Sequence, residues 1–582
     1  MRELIERWLG IEALKTIAAR LSHHDSAGAY ARSGLDALGV EFDVDASRLG
    51  HVPATGSLVV VANHPFGGID GLIAVAALSE WRPDLLVLGQ PILTQLGALG
   101  RIVLPLDPFG RRSAVAANAA SLRRARRHLQ QGGALLIFPA GEVSHFSLRR
   151  GGVSDGAWQE TAVRLALHSG ARLLPLYFGG RNSLLFQCAG YLHPLLRTLL
   201  LPREALNKSG TRVPVVVGRP IDALPLEGMS LAAATTYLRM QCFALGEEQC
   251  GAPAEAQRER PAGQAPLAAE IARPQLRADI AALPADALHA SSGELQVFVA
   301  TAASMPALLP EIGRLRELTF RAVGEGTGRR LDLDSHDQHY EHLFIWHRQR
   351  EEIVGAYRLG RIDELRRSLG NRGVYLTSLF EFREPFFKLL GPALELGRSF
   401  IRAEYQRSFA PLLLLWQGIG EYVGRHPRYA RLIGPASISE QYDHISRSLL
   451  VEVLRRRRFD PLLGSLARPR QPFRASHSLR SLTGGLHLLP DVEEVGTVIA
   501  RREADGKGIP VLLRQYLRLG ARIIGFNVDP DFGNALDCLI LLDLRATPDS
   551  VLRKYLSREA LRNLRGYWRQ RGARRHPVAI GG

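Results

Sequence analysis

The sequence LVVVANHPFGGIDG, which occupies residues 58–71, decides the fold of the first half of this chain. Its first five residues form a continuous apolar run, which predicts a strand buried on both faces of a sheet. Asn63, His64 and Asp70 follow that strand directly, in a turn rich in glycine. Because functional groups of α/β proteins collect where strands end, this stretch is also a candidate site.

Three further apolar runs in the first half end at turn or polar residues, namely Ala134–Phe138, Leu173–Phe178 and Val213–Val217. Helical stretches lie between these runs, such as Ser113–Gln131, where arginines alternate with alanine and leucine. This alternation of short buried strands and helices predicts an α/β sheet.

The second half is also predicted to be α/β, with elements that alternate in the same way. The predicted elements are a strand over Glu294–Thr301, a helix over Pro306–Phe320, strands near His342–Trp346 and Ile353–Leu359, and helices after Glu384 and Pro411. A segment rich in proline, alanine and charge begins at Gly251, so residues 250–292 are predicted to be a linker. A chain of 582 residues needs more than one core, and the expected domains are residues 1–249 and 293–582.

Basic residues outnumber acidic residues by 17, and two segments hold most of this excess. Leu454–Arg480 carries a net charge of +7, and Val551–Gly582 carries +8. Such basic surfaces bind nucleic acid, anionic membranes or acidic proteins, and composition does not choose among these partners. Hydrophobic residues make up 46% of the chain and charged residues 23%, which excludes a mainly disordered protein.

The cysteines and the apolar runs indicate where the protein resides. Cys188, Cys242, Cys250 and Cys538 form no CxxC pair and no disulfide framework, so we expect buried, inert thiols in a reducing cytoplasm. The N-terminal residues carry charges where a signal peptide needs an apolar core. No run reaches the roughly 18 uncharged apolar residues of a spanning helix, so a soluble or peripheral protein is expected.

His64 and Asp70 are candidates for a catalytic base and the acid that orients it. A carboxylate that holds a histidine fixes its tautomer and stabilises the imidazolium, so the histidine can deprotonate a hydroxyl. The alternative is a strand-end turn that Asn63 and Asp70 merely cap. The residues alone leave both interpretations open.

Two later segments lie after buried strands of the same half, Ile137–Ser144 and Leu174–Tyr177. Together with the His64 and Asp70 segment, they resemble the ordered blocks of the lysophospholipid (1-acylglycerol-3-phosphate) acyltransferase family. This resemblance implies a glycerolipid-acyltransferase-like α/β sandwich, with His64 as general base and Asp70 as its orienting residue. In that family the block that corresponds to Ile137–Ser144 binds the phosphate of the acceptor.

Two departures from the family pattern point to a subgroup. Five residues separate His64 from Asp70 instead of four, and Glu142 follows Gly141 instead of preceding it. Both features are similar to the bifunctional ornithine-lipid acyltransferases, whose acceptor lacks glycerol phosphate. The resemblance implies substrate-binding roles for Asn63, Gly141, Glu142 and Ser144. Arg111, near the second family block, is a further candidate for contact with an acidic donor or headgroup.

The second half carries three histidines and several acids between Leu331 and His342. His336, His339 and His342 invite a metal site, but residues of this kind in a polar loop before a strand are usually solvated, and no second cluster matches them. We therefore predict no metal. Glu395 and Arg398 lie where an apolar segment becomes a strand, and they could form a structural ion pair or bind an amine.

Four strings in this half resemble the ornithine N-acyltransferase family, whose fold is of the GNAT type and is related to acyl-homoserine-lactone synthases. The strings are Asp337–Leu343, Val354–Leu359, Glu395–Arg398 and Ile509–Ala521. The resemblance implies a mixed sheet with helices, and it implies that Glu395 is catalytic. It also implies that Asp334, Asp337 and Arg398 bind the acceptor or support the site.

Taken together, these resemblances predict a bifunctional acyltransferase without a bound cofactor. One domain would N-acylate ornithine with a 3-hydroxyacyl group from an acyl-carrier-protein thioester, and the other would O-acylate the resulting lyso-ornithine lipid. The expected partners are acyl carrier protein and an anionic membrane, with the protein peripheral on the inner face of the bacterial cytoplasmic membrane. One alternative is a lysophosphatidate acyltransferase fused to an N-acyltransferase for glycine, glutamine or lysine. A nucleic-acid-binding protein is another, but no recognition motif with interleaved aromatic residues supports it.

Overall fold

The computed structural model describes residues 9–21, 23–107, 114–147, 152–192, 194–249, 264–475 and 492–575. The chain forms two compact units. The N-terminal unit comprises Met1–Arg258 and Ala475–Gly508, and the C-terminal unit comprises Glu259–Arg474 and Ile509–Gly582. Each unit contains a sheet with helices, so the predicted two-domain α/β fold is confirmed.

The N-terminal unit is built on a seven-stranded sheet in the order β1-β9-β8-β2-β5-β3-β4. The strands of this part of the chain are β1 Glu41–Val44, β2 Leu58–Ala62, β3 Leu85–Gly89, β4 Val103–Pro105, β5 Ala134–Ile137, β6 His145–Ser147, β7 Gly152–Ser154, β8 Arg172–Phe178 and β9 Arg212–Val217. The helices are α1 Ile11–Arg20, α2 Ala27–Leu38, α3 Ala46–Leu49, α4 Gly68–Leu78, α5 Gly97–Arg101, α6 Ala114–Gln130, α7 Thr161–Ser169, α8 Leu184–Leu192, α9 Pro194–Leu206 and α10 Leu231–Gln249.

Strand β2 lies at the centre of this sheet because its five residues are apolar and completely buried. It pairs in parallel with β5 on one side and with β8 on the other. The carboxyl ends of parallel neighbours meet at one edge of a sheet. The residues after β2, β5 and β8 therefore lie together at that edge, as the strand pattern predicts.

The C-terminal unit is built on an eight-stranded sheet in the order β10-β11-β12-β13-β15-β16-β19-β18. The strands of this part are β10 Leu288–Ser292, β11 Leu295–Thr301, β12 Glu341–His347, β13 Glu352–Arg361, β14 Phe380–Phe382, β15 Leu394–Ile401, β16 Arg431–Ile438, β17 Ala467–Pro469, β18 Arg522–Asp529 and β19 Ala535–Asp543. The helices are α11 Arg273–Ala282, α12 Leu308–Ala322, α13 Ile362–Leu369, α14 Leu376–Leu379, α15 Pro385–Leu390, α16 Ala410–Arg425, α17 His444–Arg458, α18 Pro461–Gly464, α19 Val492–Arg502, α20 Val511–Arg518, α21 Asp549–Leu552 and α22 Arg558–Arg575, of which α19 belongs to the N-terminal unit.

Two neighbouring strands of this sheet separate along their length. β15 and β16 run in parallel and pair only at Leu394 with Leu432 and at Glu395 with Ile433. β15 continues to residue 401 and β16 to residue 438, and no strand pairing joins them beyond the close approach of Leu396 to Gly434, so the two strands diverge there. Arg398 lies in the diverging part of β15 with a φ of 50°. We call the opening between the diverging strands the wedge.

The domain boundaries differ from the sequence prediction in two places. Residues 273–292 were predicted as linker, but they form helix α11 and strand β10 of the C-terminal unit. Buried Leu276 packs into a core cluster with Phe298, which composition alone does not reveal. Residues 250–263 lie outside the described residues. Helix α19 packs against α10 of the N-terminal unit although it lies late in the chain.

The cysteines are not all buried. Cys242 and Cys538 are buried, as predicted, but Cys188 on α8 is exposed, so the prediction is wrong for that residue. Cys250 lies outside the described residues. Among the residues that the structure describes, no helix combines the length and the apolar character needed to cross a membrane.

Candidate functional site

The structure brings His64 and Asp70 together at the carboxyl end of β2. His64 Nδ1 lies 3.0 Å from Asp70 Oδ2. The five intervening residues turn the chain from the strand into α4, whose first turn contains Asp70. Gly67 occupies the turn with a φ of 86°, a conformation that a side chain rarely adopts. The five-residue turn between His64 and Asp70 is therefore enough to bring the two side chains into contact.

Asp70 is held rigidly beneath the histidine. Its side chain is completely buried, and its Oδ2 accepts hydrogen bonds from the backbone N–H groups of Phe66 and Gly67 at 2.8 and 2.9 Å. Burial raises the pKa of the Asp70 carboxyl, against the opposing effect of His64. The His64 side chain keeps 18% of its surface exposed. With Nδ1 directed at Asp70, Nε2 is the ring nitrogen available to a substrate.

Residues from the neighbouring strand ends orient His64 further. Its ring stacks on Phe138, with the centroids 4.1 Å apart. Its backbone N–H donates to Asp155 Oδ1 at 3.2 Å, and its carbonyl accepts from the backbone N–H of Ser144 at 2.8 Å. The hydroxyl of Ser144 also donates to Asp155. Ser144 thus supports His64 from the block after β5.

Asp155 is a site residue that sequence reasoning missed. It is completely buried, and its Oδ2 accepts from Trp158 Nε1 at 2.9 Å. A buried aspartate among glycine and tryptophan is a weak local signal, since its partners lie near positions 64 and 144 of the chain. Asn63 joins the ends of β2 and β8, because its side chain donates a hydrogen bond to the carbonyl of Phe178 and accepts one from the N–H of Phe178.

Two other predicted residues, Gly141 and Glu142, lie in the segment after β5, and Glu142 is already occupied by an ion pair. Gly141 adopts a φ of 66° in the turn after β5. Glu142 is half-exposed and pairs with Arg197 at 2.9 Å. Arg111 lies outside the described residues.

A cavity of about 410 Å³ opens at the same edge of the sheet. Phe66, two residues after His64, forms part of its wall. Three basic side chains, Arg181, Lys208 and Arg212, also line it. Lys208 Nζ lies 5.3 Å from the centroid of the Phe66 ring. The cavity therefore offers positive charge at the edge of the sheet that carries the histidine loop, although His64 itself is not among its lining residues.

The C-terminal unit contains a buried network of arginines and aspartates. Asp337 Oδ1 accepts from Arg316 at 2.7 Å, and Arg358 lies 2.8 Å from Asp334 and 3.3 Å from Asp337. Although burial acts in the opposite direction, Arg316 and Arg358 lower the pKa of Asp337 to about 2. Asp334 and Asp337 are thus brought together, as charged partners of arginines.

Glu395 and Arg398 do not pair with each other, because each has other partners. Glu395 Oε1 accepts from the backbone N–H of Leu376 at 2.8 Å, and Oε2 accepts from the hydroxyl of Tyr340. Burial raises the pKa of Glu395, with Tyr340 acting against the rise. Arg398 instead lies 3.2 Å from Asp332. Glu395 and Arg398 therefore do not form the structural ion pair that was one of the two alternatives, and their role in binding an amine stays a prediction.

Arg398 is sandwiched between two aromatic rings. Its guanidinium lies 5.0 Å from the centroid of Tyr375 and 4.9 Å from that of Phe532. Arg358 is completely buried and also stacks near Tyr375, at 5.0 Å. In the sequence, Arg358 stands out only as part of the string Val354–Leu359. Its complete burial beside two aspartates shows that it organises this network.

The histidines of this unit do not form a metal site in the described structure. His342 was expected in a solvated loop, but it is completely buried at the start of β12. Its Nε2–H donates to the carbonyl of Asp337, and its Nδ1 accepts from Arg316. Burial lowers the pKa of His342 to about 4. Within the described ranges, no group of three or more His, Cys, Asp or Glu side chains could hold a metal ion.

Two family models identify the chain as an acyltransferase with two domains. The acyltransferase family matches residues 27–247, and the acetyltransferase (GNAT) domain matches residues 315–417. The glycine N(alpha)-acyltransferase of Bacteroides thetaiotaomicron is 30% identical over 263 residues, which are 42% of this chain and 77% of that protein. The chain therefore belongs to the acyltransferase family that includes this protein.

Other similar proteins match the chain more weakly. The lyso-glycine lipid O-acyltransferase of Phocaeicola vulgatus is 25% identical over 221 residues, which are 34% of this chain and 75% of that protein. A crystal structure of the 1-acyl-sn-glycerophosphate acyltransferase of Thermotoga maritima is 15% identical and covers 43% of this chain and 98% of its own, with a TM-score of 0.28.

Proposed function

We propose that this chain is a bifunctional acyltransferase of aminolipid synthesis. The C-terminal unit N-acylates the α-amine of an amino acid with a 3-hydroxyacyl group, and the N-terminal unit O-acylates the 3-hydroxyl of that product. One observation carries the proposal: a single chain is similar both to an N-acyltransferase for glycine and to a lyso-glycine lipid O-acyltransferase. The first reaction also supplies the hydroxyl that the second one needs.

In the O-acyl transfer, His64 is the general base. Its Nε2 removes the proton of the 3-hydroxyl as the oxygen attacks the carbonyl carbon of the thioester. The C–O bond forms, the C–S bond breaks, and the imidazolium returns the proton to the departing thiolate. Asp70 holds the imidazole in position and stabilises its positive charge during the reaction. The contact of 3.0 Å between the two side chains supports these roles.

The basic cavity, which the histidine loop reaches through Phe66, suits the headgroup of an aminolipid. A lyso-aminolipid carries a free carboxylate, and Arg181 provides positive charge for it together with Lys208 and Arg212, which also contact Glu204 and Glu41. Glu142 is already paired with Arg197, which leaves no free basic residue in that pair for a phosphate. The cavity attracts either a carboxylate or a phosphate, so it is the pairing of Arg197 that favours a lyso-aminolipid over lysophosphatidate as the acceptor.

In the N-acyl transfer, the wedge between β15 and β16 is suited to the donor. Strands that diverge leave backbone N–H and C=O groups without partners, and these can bind the amides of a phosphopantetheine arm. The next α-helix after β15 in the chain is α16, Ala410–Arg425, and its N-terminus offers further N–H groups. The neutral amine attacks the thioester carbon, the C–N bond forms, the C–S bond breaks, and the thiol leaves with the proton that the amine loses.

Ornithine is the acceptor that we propose first, on the resemblance of both halves to ornithine-lipid enzymes. Glycine is the second candidate, because the relatives of known activity are named for glycine and glycine lipid. Both acceptors present the same α-amine and carboxylate to the enzyme. The difference between them is the side-chain ammonium of ornithine.

The exposed basic segments suit the proposed partners. The four arginines that end α17, Arg455–Arg458, are exposed. Each basic residue near an anionic bilayer contributes about 1 kcal/mol to binding. The same charge attracts acyl carrier protein, which is acidic, as the acyl donor. We therefore propose that the protein binds peripherally to the inner face of the bacterial cytoplasmic membrane.

Lipid analysis of a bacterial host that expresses the chain tests the proposed function. The wild-type chain is expected to produce an aminolipid with one amide-linked and one ester-linked acyl group. His64→Ala is expected to reduce the second acylation by about 10²–10⁴-fold and to cause the N-acylated lyso-lipid to accumulate. Mass spectrometry after feeding isotope-labelled ornithine or glycine identifies the acceptor.

A matched histidine variant controls this experiment. His168 is exposed on α7, and His168→Ala is expected to leave the lipid pattern unchanged. A diacylated product that persists in His64→Ala contradicts the role of His64. A host in which the wild-type chain raises phosphatidate and produces no aminolipid shows a lysophosphatidate acyltransferase instead.

A further inference from the structure

Three buried carboxyl groups of the C-terminal unit belong to none of the motifs that the sequence presents. Glu325, Asp529 and Asp537 are only 6, 6 and 4% exposed. Asp529 ends β18, Asp537 lies in β19, and Glu325 follows α12 in the chain. We call these three residues the acid cluster. Buried acids that belong to no motif require an explanation, because burial of a carboxylate is costly.

The pairing of the strands places these carboxyl groups on one face of the sheet. Asp537 lies directly opposite Ser437 of β16 on one side and Asn527 of β18 on the other. Glu325 accepts a hydrogen bond of 2.9 Å from the hydroxyl of Ser437. Asp529 is two residues from Asn527 in the same strand, so its side chain lies on the same face. The cluster therefore contacts β16, one of the two strands that border the wedge, through Ser437.

Asp537 has an unsatisfied side chain. Its Oδ2 is buried and has no hydrogen-bond partner within the described part of the chain. Asn527 does not satisfy it, because the Asn527 amide bonds the backbone at Gln471 and Val528. Nearly all buried carboxylates in proteins have a donor or a cation, so an orphaned one indicates a missing partner.

The charges around the cluster show which sign this partner carries. Arg398 is the arginine whose charge lowers the pKa of both Asp529 and Asp537. Arg398 is already bound to Asp332 and held between two rings. Burial first, and then Asp529 and Glu325, raise the pKa of Asp537 well above its ordinary value. Arg398 is shared with Asp332, and burial together with the neighbouring acids disfavours the ionised form of Asp537, so a positive charge placed beside Asp537 would stabilise its carboxylate.

Building on the proposed N-acyl transfer, we propose that Asp537, flanked by Glu325 and Asp529, is the binding site for the ammonium group of the acceptor's α-amine. A primary ammonium has three N–H donors, which match a carboxylate that lacks a partner. Through Ser437 the cluster contacts β16, one of the two strands that border the wedge to which we assign the thioester of the donor. A divalent metal fits less well, since the described acids form no group that could hold one.

Kinetics of the purified full-length chain with acyl-carrier-protein thioester and the amino acid it uses test this site. Asp537→Asn is expected to raise the KM for the amino acid at least about tenfold, because it removes a charge-assisted contact. The KM for the acyl donor is expected to stay within twofold. Asp537→Glu is expected to recover part of the lost affinity, which a purely structural role of Asp537 does not explain.

Glu325→Gln is the second variant, and Asp531→Asn is the matched control. Asp531 is exposed and lies two residues from Asp529, so its loss is expected to change neither KM. The thermal midpoint of Asp537→Asn is expected to equal or exceed that of the wild type, since an amide costs less to bury than a carboxylate. The free amino acid alone is expected to raise the midpoint of the wild type but not that of Asp537→Asn.

The outcomes separate this site from the proposed function. If the wild-type chain acylates no amino acid, the proposed function fails. If it does so, and Asp537→Asn is folded with an unchanged KM for the amino acid, the ammonium site is overturned and the function stands. An equal rise of both KM values also contradicts the site, because it indicates a general distortion.

Discussion

At the scale of single residues, burial makes Glu325 a pH-sensitive group. Its pKa rises to about 7 because burial penalises the carboxylate, and the hydrogen bond from Ser437 offsets this only in part. The unfolded chain releases this proton near pH 4.5, whereas the folded chain keeps it to about pH 7. The stabilising effect of the bound proton is therefore complete below pH 4.5 and is lost as the pH rises through about 7.

Glu325→Gln removes this dependence on pH. Relative to the variant, the wild type is expected to lose up to about 3 kcal/mol of unfolding free energy between pH 4.5 and pH 7. Urea unfolding of both proteins at a series of pH values measures the difference. Glu440 is exposed, and Glu440→Gln serves as the control that should follow the wild type at each pH. A constant difference between wild type and Glu325→Gln across this range contradicts the prediction.

At the scale of elements, the approach of β15 to β16 depends on Gly434. A Cβ atom at this position would lie 2.0 Å from the carbonyl oxygen of Leu396 in the neighbouring strand. Because the obstructing atom belongs to the backbone, the strands must shift to admit a methyl group. Gly434→Ala is therefore expected to lower the unfolding free energy of the C-terminal unit by about 1–3 kcal/mol and to slow N-acyl transfer.

Gly397 provides the matched control for this strand pair. A Cβ atom at Gly397 in β15 meets nothing within 4 Å, so Gly397→Ala is expected to leave the unfolding free energy within about 0.5 kcal/mol of the wild type. Chemical denaturation of the two variants compares the positions directly. Equal stability of both variants would show that the two strands adjust without cost.

At the scale of the whole molecule, a segment late in the chain belongs to the N-terminal unit, namely Ala475–Gly508 with helix α19. Val495, Val498 and Ile499 of α19 are completely buried although the helix follows most of the C-terminal unit in sequence. Ile499→Ala is expected to destabilise the N-terminal unit by about 2–4 kcal/mol. O-acyl transfer should therefore be lost at a lower temperature than in the wild type, while N-acyl transfer keeps its temperature dependence.

Thr497 lies on the exposed side of the same helix and supplies the control. Thr497→Ala is expected to leave the temperature dependence of both reactions unchanged. Loss of N-acyl transfer in parallel with O-acyl transfer in Ile499→Ala would show that α19 stabilises the other unit instead. Assays of the two reactions after incubation at a series of temperatures distinguish these results.

The sequence by itself determined the features of this protein that arise within a few residues. The apolar run of β2 requires burial on both faces, and the turn after it brings His64 to Asp70 through five residues. Both depend on local backbone geometry and on the hydrophobic period, which neighbouring residues specify. The α/β class and most of the predicted strands were therefore accessible from the pattern.

Only the tertiary structure decided the features that join distant positions. Asp155 accepts a hydrogen bond from His64, which lies 91 residues earlier in the chain. Asp537 lies opposite Ser437, which is 100 residues earlier, because β16 pairs with β19. The same pairing of distant elements placed Leu276 in a core and separated Glu395 from Arg398. Strand order and register arise from hydrogen bonding and burial between remote segments, and no local pattern of residues carries that information.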